Sequence, residues 1–197
     1  LLALTIGFGT LLPEVSFTTD YGAFLRSLGL QAEQIDASLA VLEGLPVPPV
    51  VFLVGQGLVA GLTINAVAAL GEELGWRGLL LRELSPLGFW RLSLLTGVVW
   101  GIWHAPLILQ GHNFPDAPVA GVAVMTGWTV AASPLFTYLT VRAGSVLAAT
   151  LLHGSFNAVT SLSLVYLTGA GTLLVGPVGI AGIGAALLAT AACVVHD

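Results

Sequence analysis

The chain has 197 residues, of which 56% are hydrophobic and only 8% charged, with a mean hydropathy of +0.99. Ordinary soluble domains carry about 25% charged residues, because a domain of this size still needs a wettable exterior. Composition therefore excludes a soluble globular protein and points to an all-α, polytopic transmembrane helical bundle. The net charge of −5 comes with no lysine and no basic run, which argues against a nucleic-acid partner.

A membrane-crossing helix needs about 20 mostly apolar residues. The stretches that come near this are 1–12 (in part), 48–84, 91–110, 118–141, 145–168 and 172–195. Residues 1–12 start within an apolar run and lack a basic leader region, so they read as the tail of a truncated span rather than a signal peptide. Segment 13–46 is polar and holds Glu14, Asp20, Glu33, Asp36 and Glu43, half of the ten acids. Segment 48–84 is too long for one simple span. It is either a tilted, protruding helix or a span bent near Gly71 or Gly75. Ser85-Pro86-Leu87-Gly88, the loop 111–118 and Arg142-Ala143-Gly144-Ser145 separate the later elements. The whole reads as one domain, 1–197, with 48–195 forming the bundle.

Loop charges predict the orientation. Arg82 and Arg91 flank one loop and Arg142 marks the loop two spans later, while 111–117 has no basic residue. By the positive-inside rule the arginine-bearing side faces the cytoplasm of a multi-pass cell-membrane protein. Segment 13–46 is then extracytoplasmic and the C-terminus cytoplasmic. Gly57/Gly61 and Gly97/Gly101 have the four-residue spacing that lets helices approach closely. Cys193 has no partner for an intramolecular disulfide and reads as a packing residue.

Residues 48–71 are uncharged, and then Glu72, Glu73 and Arg77 follow within six positions. An ionised side chain at mid-bilayer costs roughly 2.5–3.5 kcal/mol on insertion scales, so such groups persist where they are paired or used. Glu73 and Arg77 are spaced i,i+4 with the acid first, the favoured order for a helical ion pair. Glu72 is rotated about 100° away and is left free to face a cavity. His104, one turn after Trp100, and His153, one turn before Asn157, are the other polar positions. Counted from the cytoplasmic helix ends, Glu72, His104 and His153 lie roughly 18, 20 and 12 Å deep at 1.5 Å per residue. They can meet at one level, where an acid, two imidazoles and an amide supply a base, an acid and an oxyanion site. That combination reads as a membrane-embedded hydrolase with its active site buried between spans.

Gln56 and Asn65 are expected to hydrogen-bond between helices, His112 and Asp116 to be solvated loop residues, Arg82 with Glu83 to mark a cytoplasmic helix end, and His196 to sit in the terminus. Ser155 has no Gly-x-Ser-x-Gly context and no His-Glu-x-x-His pair exists, so the common serine-hydrolase and zincin signatures are missing.

Glu72-Glu73-x-x-x-Arg77, Trp100-x-x-x-His104 and His153-x-x-x-Asn157, in that order over residues 48–168, resemble the three motifs of the CPBP family. That family includes the type II CAAX prenyl endopeptidases and bacterial bacteriocin-processing and immunity-related membrane proteases. The resemblance implies an endopeptidase acting on a peptide or lipidated protein substrate in membrane lipid. It further implies that Glu72 activates the attacking water with help from His104, and that His153 and Asn157 stabilise the oxyanion. Glu73 and Arg77 would support the first motif. Trp100 stands where the family usually has Phe, which alters the pocket wall beside His104. Members are labelled metalloproteases, while a metal-free glutamate mechanism is also argued. Glu72, His104 and His153 could hold Zn2+ with water in the fourth position, or position water by hydrogen bonds alone. The alternatives are a transporter or proton-relay channel, since intramembrane Glu and His also build proton paths, and a non-catalytic immunity or scaffold protein of the same fold.

Overall fold

The computed structural model describes residues 1–194, so the expectations for His196 and the chain end lie outside the described residues. The order is α1 (Leu2–Gly9), β1 (Ser16–Phe17), α2 (Tyr21–Ser27), α3 (Ala32–Glu43), α4 (Pro49–Leu62), α5 (Ile64–Glu73), a π-helical turn (Leu74–Leu80) and α6 (Leu81–Leu84). Then come α7 (Phe89–Trp103), α8 (Ala105–Ile108), α9 (Pro118–Ala143), α10 (Val146–Val159), α11 (Ser163–Tyr166), β2 (Leu167–Thr168), α12 (Thr172–Val175) and α13 (Ile180–Val194). The fold is the expected all-helical membrane bundle. Its outer faces expose large aliphatic side chains, among them Val59, Ile64 and Val67 on α4 and α5 and Ile102 on α7. Lipid tolerates such a surface, whereas water does not.

The helix limits follow from local chemistry. Pro49 and Pro118 stand in the first turns of α4 and α9, where the missing N–H costs nothing. Gly144, at φ 61°, closes α9 in the left-handed conformation, and the Ser145 hydroxyl accepts from Leu147 N to open α10. Pro106 cannot donate to the carbonyl four residues before it, so α7 stops at Trp103.

These breaks shorten two expected spans. Segment 91–110 divides into α7, α8 and a turn, and 145–168 into α10, a 3-10 turn, α11 and β2. With 15 and 14 residues, α7 and α10 are about 21–23 Å long, against a hydrocarbon core of about 30 Å. Among the described residues, Pro118–Ala143 and Thr172–Cys193 are long and apolar enough to cross a membrane, and the bent pair Pro49–Leu62 with Ile64–Leu87 makes a third at 47°. That bend lies at Thr63 (φ −119°, ψ −94°), not at Gly71 or Gly75. The Thr63 hydroxyl donates back to Val59 O at 2.6 Å, a bond that competes with the helical ladder. Gly71 continues α5 and Gly75 lies inside the π-helical turn.

Both glycine pairs pack helices together. A Cβ on Gly97 would lie 2.7 Å from Val130 Cα, and one on Gly101 2.5 Å from Thr126 Cα, a falling register that makes α7 and α9 antiparallel. Gly57 against Ala158 and Gly61 against Ser155 do the same for α4 and α10. Arg82, Arg91 and Arg142 therefore share one end of the bundle. Loop 109–117 and the turns after α10 share the other.

The polar segment 13–46 has regular elements of its own. Its β1 pairs with β2 in a two-residue antiparallel ladder, Ser16↔Thr168 and Phe17↔Leu167. Asp20 caps α2 by accepting from Ala23 N at 2.8 Å. Gln56 is exposed, and neither it nor the half-buried Asn65 hydrogen-bonds another helix among the described residues, contrary to expectation. Thr190, which donates to Ala131 O at 3.0 Å, joins α13 to α9 instead.

Candidate active site

The two adjacent acids have separate fates, as a 100° rotation along one helix requires. Glu73 is fully buried. Arg77 Nη1 donates to both of its oxygens at 3.2 Å, and Arg77 Nη2 donates to Ser133 Oγ on α9 at 3.1 Å. The guanidinium lies 4.6 Å from the ring centres of both Trp100 and Phe136. The expected Glu73–Arg77 pair is present, and it has a further member. His153 on α10 places Nδ1 2.8 Å from Glu73 Oε1. A carboxylate only accepts, so Nδ1 carries the hydrogen and Nε2 is left for the cavity side.

Glu72 is half-buried and held differently. Trp100 Nε1 donates to its Oε2 at 2.9 Å, and Trp76 Nε1 makes a longer contact to the same oxygen at 3.4 Å. His104 donates from Nδ1 to the Trp100 carbonyl at 2.8 Å, which again leaves Nε2 available.

Glu72, His104, His153 and Asn157, with Trp100, line one cavity of about 350 Å3. Trp103, Trp128, Phe156 and Met125 supply apolar wall, and Pro177 and Val178, from the break before α13, close one side. His112 and Asn113 also line it. His112 is exposed, as expected for a loop residue, but the loop is not idle: Phe114 is fully buried against Gly121 and pins it over the cavity. Glu72 and Trp103 also border a second, open cavity of about 460 Å3 with Ala68, Gly71, Gly75 and Trp76.

Sequence reasoning missed the His153–Glu73 bond, Ser133, the Trp100 N–H and the loop lining. Each depends on how separate helices pack. The one local signal was indole chemistry: a buried Trp needs an acceptor for its N–H. The metal set allowed for Glu72, His104 and His153 does not form. Among the described residues, no group of three or more His, Cys, Asp or Glu side chains is placed to hold an ion. The Glu72 Oε2 is turned to two indole donors and the His153 ring to Glu73.

The model of the type II CAAX prenyl endopeptidase Rce1-like family matches residues 54–159, which contain Glu72, Glu73, Arg77, Trp100, His104, His153 and Asn157. The chain belongs to that family. Its members are membrane proteins, and the family implies a peptidase. A relative, CAAX prenyl protease 2 of Methanococcus maripaludis, is 41% identical over 49 residues, 24% of this chain. The match spans only 18% of that relative's length. No solved structure matches the chain.

Proposed function

We propose that the chain is a membrane-embedded endopeptidase that hydrolyses a peptide bond with water activated by Glu72 and His104. The observation that carries the reading is the division of the acids: Glu73 is neutralised by Arg77, while Glu72 faces the cavity held only by neutral N–H donors. A carboxylate locked against a guanidinium has both oxygens engaged, whereas Glu72 takes its two donors on Oε2 and keeps Oε1 without a hydrogen bond among the described residues, available to water.

In this mechanism Glu72 Oε1 and His104 Nε2 accept hydrogen bonds from one water. Its oxygen attacks the substrate carbonyl carbon as a proton passes to Glu72, and the carbonyl electrons move onto oxygen. The amide of Asn157 and an N–H on His153 Nε2 stabilise that oxyanion. Because Nδ1 already donates to Glu73, Nε2 donates only in the imidazolium. Collapse breaks the C–N bond as the proton on Glu72 passes to the leaving amine.

The substrate class in this reading is a peptide, or a lipidated protein, presented in membrane lipid. The domain is a single unit, 1–197, in the cell membrane, with the Arg82, Arg91 and Arg142 end cytoplasmic by the positive-inside rule. The cavity, bordered by His112, Asn113, Ser161 and Pro177, then lies toward the opposite end, on the side of segment 13–46. The test is cleavage of a fluorogenic lipidated peptide by the protein in liposomes, with and without a strong chelator. Cleavage indifferent to chelator is expected. Activity lost to chelator and restored by Zn2+ would replace the water-activation scheme, and no cleavage of any peptide would defeat the peptidase reading.

A further inference from the structure

We propose that Trp100 is a positioning residue that organises all three polar clusters, and that its indole N–H aims Glu72 at the attacking water. The proposal rests on the peptidase reading for its kinetic consequences, though the hydrogen bond itself does not. Trp100 is 1% exposed, at the C-terminal end of α7's buried face. Its N–H donates to Glu72 at 2.9 Å, its ring face lies 4.6 Å from the Arg77 guanidinium, its ring centre is 5.4 Å from that of His153, and its backbone carbonyl accepts from His104 at 2.8 Å. One residue thus joins Glu72, Arg77, His104 and His153.

The physical reasons are separable. A carboxylate turns almost freely about its last side-chain torsion, where the wells are broad. Donors gathered on Oε2 fix its plane and leave Oε1, which has no hydrogen bond among the described residues, to accept from water. The ring face does a second job. Held between Trp100 and Phe136, the guanidinium stays on Glu73 and does not swing to Glu72, where a full positive charge would weaken the base. Phenylalanine at position 100 would keep the second role in weaker form and lose the first entirely.

Two replacements therefore separate the parts. Trp100→Phe removes the N–H and some ring area, and the benzothiophene isostere of tryptophan, installed by nonsense suppression, removes the N–H alone. A lost hydrogen bond to a charged group converts to roughly a 10- to 150-fold effect. The isostere is expected to lower kcat by roughly that factor, with KM within about threefold. Trp76→Phe, which loses only the 3.4 Å contact, should cost less. Wild-type kcat in the isostere, or an equal loss in Trp76→Phe, would overturn the proposal. The indole proton–nitrogen resonances of the five tryptophans give a readout independent of catalysis. The one absent in Trp100→Phe should move in Glu72→Ala, and a resonance that does not move would also overturn it. If the wild-type protein cleaves no peptide, the peptidase reading fails, while this resonance still decides whether Trp100 holds Glu72.

Discussion

Replacing Arg77 by leucine leaves the fully buried Glu73 with His153 Nδ1–H as its remaining partner. Breaking a buried ion pair from one side typically costs about 3–5 kcal/mol, because the surviving charge is uncompensated. For a chain of this size that corresponds to a fall of roughly 6–20 °C in the thermal midpoint. The loss has a specific signature. Adding Glu73→Gln to Arg77→Leu removes the stranded charge but keeps an acceptor for His153, so the double variant should recover more than half of the lost stability. Thermal unfolding in detergent of wild type, both single variants and the double variant measures all of this. An unchanged midpoint in Arg77→Leu, or a double variant worse than the sum of its parts, would refute the argument.

Asn157→Ala removes one proposed oxyanion donor and should lower kcat by about 10²–10³ with little effect on yield, read by the same peptide assay. Gly101→Val should sharply reduce the folded fraction in size-exclusion chromatography, since even a Cβ at that position meets Thr126 Cα at 2.5 Å and α7 must move off α9. For orientation, Asp116→Cys and Ser85→Cys in a Cys193→Ser background should react with an impermeant maleimide from opposite sides. Asp116→Cys is expected to label in intact cells and Ser85→Cys only in inverted vesicles, and the reverse pattern would place the cavity end in the cytoplasm.

The helical membrane class was legible because charge is so scarce, and the Glu73–Arg77 pair because i,i+4 spacing is a local property. The meeting of Glu72, His104, His153 and Asn157 around one cavity followed from three short motifs at comparable depth. What stayed hidden depended on contacts between distant segments. Trp100 lies 28 positions from Glu72 and His153 lies 80 from Glu73, so no periodicity reports their bonds. The bend at Thr63 was missed because glycine is the more familiar breaker, whereas here a threonine hydroxyl bonds back into its own helix. Hydropathy alone also overstated the spans at 91–110 and 145–168, since Pro106 and the turn after Val159 interrupt apolar stretches without making them less apolar. The loop 111–117 read as solvent-facing because Phe114, its buried anchor, looks like any other loop aromatic until Gly121 is seen beneath it.

The most direct test of the central claim is the turnover of Glu72→Gln in liposomes with a fluorogenic lipidated peptide. Glutamine keeps the shape and an acceptor for the Trp100 N–H but cannot take a proton from water. The proposed mechanism predicts a fall in kcat of about 10²–10⁴ with substrate binding retained. Full activity in Glu72→Gln would contradict it and assign the activation of water to another group.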